Sequence, residues 1–173
     1  MPTEHELYIQ ERKQQWLIDR QKGLGATDVA AIVGEKAFRS PIDVWFEKTG
    51  QAKPMKDNIV LRRGRYLEPL VVEWFAEQTG FQVTHNTDYT MHWHPTIPFL
   101  YATLDADVVE SGQLGVLECK TAAGEGSKKW YGGIPDIYKL QVQSQMMCSS
   151  RDFGYIAWMI DDIPGYAKIE KDM

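Results

Sequence analysis

The residues with the most chemical content run from Leu104 to Lys120, Leu104-Asp-Ala-Asp-Val-Val-Glu-Ser-Gly-Gln-Leu-Gly-Val-Leu-Glu-Cys-Lys120. Two strand-like stretches flank Ser111-Gly112, a dipeptide suited to a two-residue hairpin loop. A hairpin closed there sets Asp105 opposite Glu118 and Thr103 opposite Lys120. Side chains alternate along a strand, so Asp105, Asp107, Glu118 and Lys120 share one face, while Leu104, Ala106, Leu117 and Cys119 share the other and form core. Carboxylates facing one another across a ladder repel and destabilise the sheet unless a cation or a proton compensates. Oxygen ligands select a hard ion, Mg²⁺ or Mn²⁺, over zinc. A lysine beside Glu118 would orient a water or stabilise charge developing on a phosphate. Acid, spacer and Glu-x-Lys together form a unit for metal-assisted phosphodiester hydrolysis. Glu-x-Lys alone is more often a solvated hairpin face, so the remaining residues must decide.

The elements that would position this unit follow from periodicity. Residues 4–20 read as a helix with Leu7, Ile9, Trp16 and Leu17 apolar. Gly23 to Asp28 breaks the pattern before a short helix, Val29 to Val33, closed by Gly34. Ser40-Pro41 caps a helix that Gly50 ends. A third helix is expected from Pro69 to Thr79, carrying Leu70, Val71, Trp74 and Phe75. Strand composition dominates 81–84, 88–93, 99–109 and 114–121. Pro135 to Ser149 returns to helix, and Phe153 to Ile160 and Tyr166 to Ile169 read as late strands around a turn at 161–165. Trp45, Trp74, Trp158 and Cys148 sit in apolar patterns and are expected in the core. This order predicts an α/β (α+β) domain, a central mixed sheet flanked by helices, with residues 1–173 as one domain.

Composition narrows the function classes. The chain has 173 residues, 43% apolar and 25% charged, ordinary for a globular protein rather than a disordered one. No apolar stretch approaches the ~20 residues of a membrane span, and the polar, acidic N-terminus is unlike a secretory signal. A cytoplasmic setting is expected. Two cysteines, Cys119 and Cys148, exclude a disulfide framework and a four-thiolate cluster. His85, His92 and His94 lack a third and fourth zinc ligand at suitable spacing. Net charge is 19 − 24 = −5, so contact with nucleic acid must come from local basic clusters. Three are present. Gly23-Leu-Gly25-Ala-Thr27, after Arg20, offers free N–H groups and a hydroxyl to a phosphate; it lacks the Gly-Lys-Ser/Thr ending of an ATPase loop. Arg62, Arg63 and Arg65 are either a solvated face or a grip on backbone phosphates. Lys128, Lys129 and Trp130 follow the Glu118 strand; they would contact the DNA backbone or stack an unpaired base, the favoured reading, or form a surface loop with Trp130 packed down. Glu68 precedes Pro69, which disfavours helical geometry at Glu68 and places it at a kink or a helix N-terminus, where the dipole stabilises a carboxylate.

Taken in order, Gly64-Arg-Tyr-Leu-Glu68-Pro, Ala102-Thr-Leu-Asp105-Ala, Leu117-Glu118-Cys-Lys120-Thr and Gln141-Val-Gln-Ser-Gln-Met146 resemble the YqaJ-type phage recombinase family. That family includes phage lambda exonuclease, within the PD-(D/E)xK nuclease fold, and the resemblance runs from Trp16 to Ile160. It implies a restriction-endonuclease-like core and a Mg²⁺- or Mn²⁺-dependent deoxyribonuclease using one or two ions. Asp105, Glu118 and the main-chain carbonyl of Cys119 would bind the ion, Glu68 would reach a second ion or its water shell, Lys120 would position or activate the attacking water, and Gln141 would complete the site. Arg20 and Thr27 would form a pocket for a 5′-phosphate. The implied activity is 5′→3′ digestion of linear duplex DNA in recombination, in the cytoplasm of a bacterial host. A single-strand annealing protein is the implied partner, a homotrimer the implied assembly, and no membrane is involved. An endonuclease of the same fold and a non-catalytic nucleic-acid-binding module are the alternatives. Leu104 stands where relatives usually have Pro or Asn, and Asp107 is an additional carboxylate that either shares the ion or does not.

Overall fold

The computed structural model describes residues 2–33, 39–53 and 57–172. Five α-helices are present among them: α1 (Glu4–Asp19), α2 (Ala26–Ile32), α3 (Pro41–Lys48), α4 (Ile59–Thr79) and α5 (Asp136–Ser149). Eight strands accompany them: β1 (Leu24–Gly25), β2 (Gln82–His85), β3 (Met91–Trp93), β4 (Leu100–Thr103), β5 (Ala106–Glu110), β6 (Gln113–Ala122), β7 (Phe153–Ile160) and β8 (Ile163–Glu170). They form a five-stranded sheet ordered β2-β5-β6-β7-β8 and a three-stranded sheet ordered β1-β4-β3. In the larger sheet β6 and β7 are parallel, joined through α5, and every other pair is antiparallel. None of the described helices is long and apolar enough to cross a membrane.

Adjacent residues of β6 face opposite sides, and each side has its own core. Val116 packs with Leu104, Ile156, Val142 and Met146 on the α5 side. Leu117 packs with Ala106, Tyr155, Val71, Val72 and Phe75 on the α4 side. Helices thus cover both faces where the site residues lie. The hairpin forms at Ser111-Gly112, both at positive φ (52° and 79°) as a tight two-residue turn requires. Its register runs from Glu110↔Gln113 to Ala106↔Leu117.

Five departures from the sequence expectation matter. The 99–109 stretch is not one strand: β4 belongs to the small sheet and β5 to the large one, with Leu104 and Asp105 crossing between them. Thr103 therefore pairs with Met91, not with Lys120, and Leu104 joins the α5-side core rather than that of Ala106 and Leu117. Helix α4 starts at Ile59, capped by the Asn58 side chain accepting from the Val60 and Leu61 N–H groups at 3.0 Å, and it carries Pro69 in its interior. Glu68 sits mid-helix and not at a helix N-terminus, so the expected contact with a helix dipole is absent. Helix α2 begins three residues earlier than expected, and Gly34, its expected terminator, lies outside the described residues. Helix α1 forms as expected behind a Thr3–Glu6 capping box, yet buries none of its residues; Leu7 and Leu17 are exposed. Trp45 is half exposed rather than core, whereas Cys148 is buried and its thiol is pushed up to about 11 by that burial.

Candidate active site

Glu118 occupies the middle of β6, only 2% exposed. A buried carboxylate needs donors, and α5 supplies two from one face, since residues four apart in a helix stack. Gln141 Nε2 donates to Glu118 Oε1 at 2.6 Å, and Gln145 Nε2 donates to Oε2. Lys120, two residues along the strand on the same face, donates to Oε1 as well. Burial pulls the Lys120 ammonium toward deprotonation, but the charges of Glu118 and Asp105 outweigh it and its pKa is raised. Its Nζ also lies 4.9 Å from the centre of the Tyr138 ring. Gln145 is fully buried, and its Oε1 has no partner among the described residues.

Asp105 lies in the crossing between the two sheets, outside β5. Its Oδ2 accepts the Cys119 N–H at 2.8 Å, which fixes the acid against β6 without a ladder pair. Desolvation, then the charge of Glu118, hold its carboxyl well above the usual carboxylate range; Lys120 and the Cys119 N–H oppose this. A carboxylate that burial and a neighbouring acid disfavour as an anion, set beside that second acid, is a donor set suited to a hard cation. The Cys119 thiol turns to the α4 side, and burial raises its pKa too. Among the described residues no three His, Cys, Asp or Glu side chains gather closely enough to hold an ion by themselves.

Glu68, Asp105, Glu118, Lys120 and Gln141 all line one cavity of about 550 Å³, together with Arg20, Thr27 and Arg65. Glu68 Oε1 lies 2.9 Å from His85 Nε2, a histidine on the same wall to which the sequence reading gave no role. Arg20 pairs with Glu47 at 2.9 Å and lies 4.8 Å from the Trp16 ring centre; its buried Nε has no partner among the described residues. Arg65 makes two 2.8 Å bonds to Asp57. Arg62, Lys128 and Lys129 lie off the cavity wall. Lys128 pairs with Glu125, and Trp130 stacks on Tyr138 and packs into the α5-side core, so it is packed down and not offered to a base. Asp107 is held by Arg151, which also donates to the Gly115 carbonyl. Gln145 and His85 are the residues the sequence reading left without a role. Gln145 carried a signal, one helical turn from Gln141; His85 carried none, since it falls just past the expected 81–84 strand and only the structure shows it ending β2.

Comparison with known proteins gives consistent matches. The model of the YqaJ-like viral recombinase domain matches residues 15–152. The uncharacterized protein YqaJ of Bacillus subtilis (strain 168) is 32% identical over 133 residues, 76% of this chain and 40% of that protein. The chain thus spans two-fifths of the length of the curated relative it matches. Among solved structures, the alkaline exonuclease LHK-Exo from Laribacter hongkongensis superposes with a TM-score of 0.72 at 24% identity, covering 92% of this chain and 82% of that one. LHK-Exo in complex with dAMP gives 0.73 at 23% identity, covering 92% and 83%. A phage related exonuclease from Haemophilus somnus 129PT gives 0.63 at 12%, covering 87% and 85%. At these identities the likeness is one of fold, the restriction-endonuclease-like arrangement of a mixed sheet between helices.

Proposed function

This chain belongs to the YqaJ-like viral recombinase domain family, and on that premise we propose that it is a metal-dependent DNA nuclease, a phage-type 5′→3′ exonuclease acting on linear duplex ends. The observation that carries the reading is the convergence of Asp105, Glu118, Lys120 and Gln141 on one cavity, with Asp105 disfavoured as an anion by burial and by Glu118. The solved neighbours, described as exonucleases, support the same reading.

In this account Asp105, Glu118 and the Cys119 carbonyl would hold Mg²⁺ or Mn²⁺, and Glu68 would serve a second ion or its waters. Bound there, the ion supplies Lewis-acid polarisation of the scissile phosphate and eases deprotonation of water. Lys120 orients the attacking water and stabilises charge developing on the phosphate oxygens. Gln141 and Gln145 hold the Glu118 carboxylate in one orientation, so that its oxygens need no rearrangement during the reaction. Glu68 is oriented by His85. Arg20, with a donor left unused in the buried wall, and Thr27 take the 5′-phosphate of the strand end.

A time course on linear and covalently closed duplex DNA, with Mg²⁺ or with EDTA, tests the reading. Linear DNA is expected to disappear only with Mg²⁺, and circles to persist. Lys120→Ala is expected to stay folded and lose activity about a hundredfold or more, the range for removing a positioned charge donor. Full activity in that variant, or digestion in EDTA, overturns the mechanism. Cutting of circles overturns the exonuclease. Linear ends bearing 5′-phosphate are expected to be digested faster than 5′-hydroxyl ends, and equal rates remove the Arg20–Thr27 pocket.

A further inference from the structure

Lys120 has a second neighbour besides Glu118, an aromatic stack that the chemistry above leaves without a role. Its Nζ lies 4.9 Å from the centre of the Tyr138 ring, inside the ~6 Å at which a ring face attracts an ammonium. Tyr138 stands three residues before Gln141 on α5, so both look onto the strip of β6 that carries Glu118 and Lys120. Behind Tyr138 lies Trp130, the last residue of the short 3₁₀ segment Gly124–Trp130; the ring centres are 5.3 Å apart and the planes inclined at 27°. Trp158 continues the stack, 5.5 Å from Trp130. The parallel register pairs Trp158 on β7 with Lys120 on β6, so the two side chains leave the sheet on the same face. Room for this indole comes from its ladder partner on β8, Gly165, where a Cβ would meet three indole atoms at 2.5, 2.6 and 2.7 Å. All three aromatic residues pack against the α5-side core.

A lysine head rides on a flexible four-carbon stem, and fixing it in one place costs rotamer entropy. Its hydrogen-bond partner, Glu118 Oε1, already accepts from Gln141, and on the nuclease reading the same carboxylate also serves an ion. The face of a ring is a partner for which neither competes. A lone tyrosine ring would turn about its own side-chain bonds; stacked on Trp130, with Trp158 behind, it presents one fixed face. Tyr138 lies off the cavity wall, whereas Lys120 is on it. We infer that Tyr138 is a positioning residue: its ring face, braced by Trp130 and Trp158, fixes the Lys120 ammonium at the wall where that charge meets the attacking water and the phosphate. Of the run Lys128-Lys129-Trp130, it is then the packed-down tryptophan that serves the site. This inference deepens the nuclease reading and rests on it for the task of Lys120.

Two experiments separate the inference from that reading. In the first, Tyr138 is replaced by Phe, by mono-, di- and pentafluorinated phenylalanine, and by Leu, and Mg²⁺-dependent digestion of a linear duplex is followed. Fluorine withdraws negative charge from the ring face and weakens its pull on a cation, while the shape of the ring changes little. Tyr138→Phe is expected to stay near wild type. With fluorine content kcat should fall stepwise, by about tenfold at the pentafluorinated ring, while KM for DNA holds steady. Tyr138→Leu should lose a similar factor. A ring with only a packing role predicts no such fall, because an electron-poor ring stacks on an indole at least as well. A kcat indifferent to fluorine content, or a Tyr138→Phe protein as poor as Tyr138→Leu, overturns the inference. The second experiment needs no hydrolysis: lysines are labelled with ¹³C at Cε, and the Lys120 signal, identified by its absence from Lys120→Arg, is followed by NMR. A ring face held over the lysine head moves that signal upfield, an effect expected in wild type and Tyr138→Phe and lost in Tyr138→Leu. An unshifted signal in wild type, or the same shift in Tyr138→Leu, refutes the inference, whereas a shifted signal in a protein that does not digest DNA refutes only the nuclease reading.

Discussion

At the scale of single residues, Glu118 owes its position to three donors drawn from two elements. Its burial is tolerable only because Lys120, Gln141 and Gln145 satisfy both oxygens. Half of that arrangement was legible beforehand. Strand alternation puts Glu118 and Lys120 on one face whatever the rest of the chain does. The glutamines were harder to read, because apolar periodicity treats Gln as solvent-facing, and Gln145 has no apolar neighbour pattern to mark it as fully buried. His92 gives a residue-level test that is separate from the acids. Burial, and then the charge of Arg151, lower its pKa, with Asp107 and Asp88 opposing. A histidine that folding makes harder to protonate contributes stability that is intact above the unfolded-chain value near 6.5 and is lost as pH falls through and below it. Thermal melts at pH 7.5 and 5.5 should therefore show a smaller acid-induced drop for His92→Gln than for wild type. Equal drops would mean that the ring is not desolvated in solution.

At the scale of elements, the site depends on how α5 seats on the large sheet. Strand β7 lies beside β6, and α5 packs over both; the contact is close enough that Gly154 has no room for a side chain. A Cβ there would meet Val142 Cγ1 at 2.6 Å and Val116 Cβ at 3.4 Å. Val142 follows Gln141 directly, so pushing one moves the other. Gly154→Ala is predicted to lower stability by about 1–3 kcal/mol, the usual effect of overpacking, and to reduce kcat more than KM, because Glu118 loses its fixed partner. Adding Val142→Ala should restore part of both, a favourable coupling that a double-mutant cycle measures; additive losses would show that α5 is not what moves. Helices α3 and α5 and strands β6 and β7 were readable because caps, glycines and β-branched runs agree there. Helix α4 was not, since a proline usually marks a helix start, and here tertiary packing of Val71, Val72 and Phe75 against the sheet keeps it in the interior. The change of sheet at Leu104 and Asp105 has no local sequence signature, as both strands share one β-rich texture.

At the scale of the whole molecule, the proposed nuclease reading requires a chain of net charge −5 to meet a polyanion, and composition alone argues against that. Placement answers it: Arg20, Arg65 and Lys120 share the cavity, but each is already paired, with Glu47, Asp57 and Glu118. On that reading Asp57 stands in for a phosphate at Arg65, so binding DNA there is an exchange of partners rather than a capture by unpaired charge. The exchange is easiest at Arg65, whose pair with Asp57 is more than half exposed on both sides, and such surface pairs contribute only about 0–1 kcal/mol. Removing the competitor should then favour DNA. Asp57→Asn is predicted to tighten binding of a linear duplex severalfold at low salt, measured by fluorescence anisotropy with Ca²⁺ in place of Mg²⁺. The advantage should shrink as salt rises, because screening and counterion release weaken the Arg65–phosphate contact that it liberates. Unchanged or weaker binding would mean that Asp57 orients Arg65 for the phosphate instead of competing for it, and the three pairs would then have to be read as a preorganised basic wall.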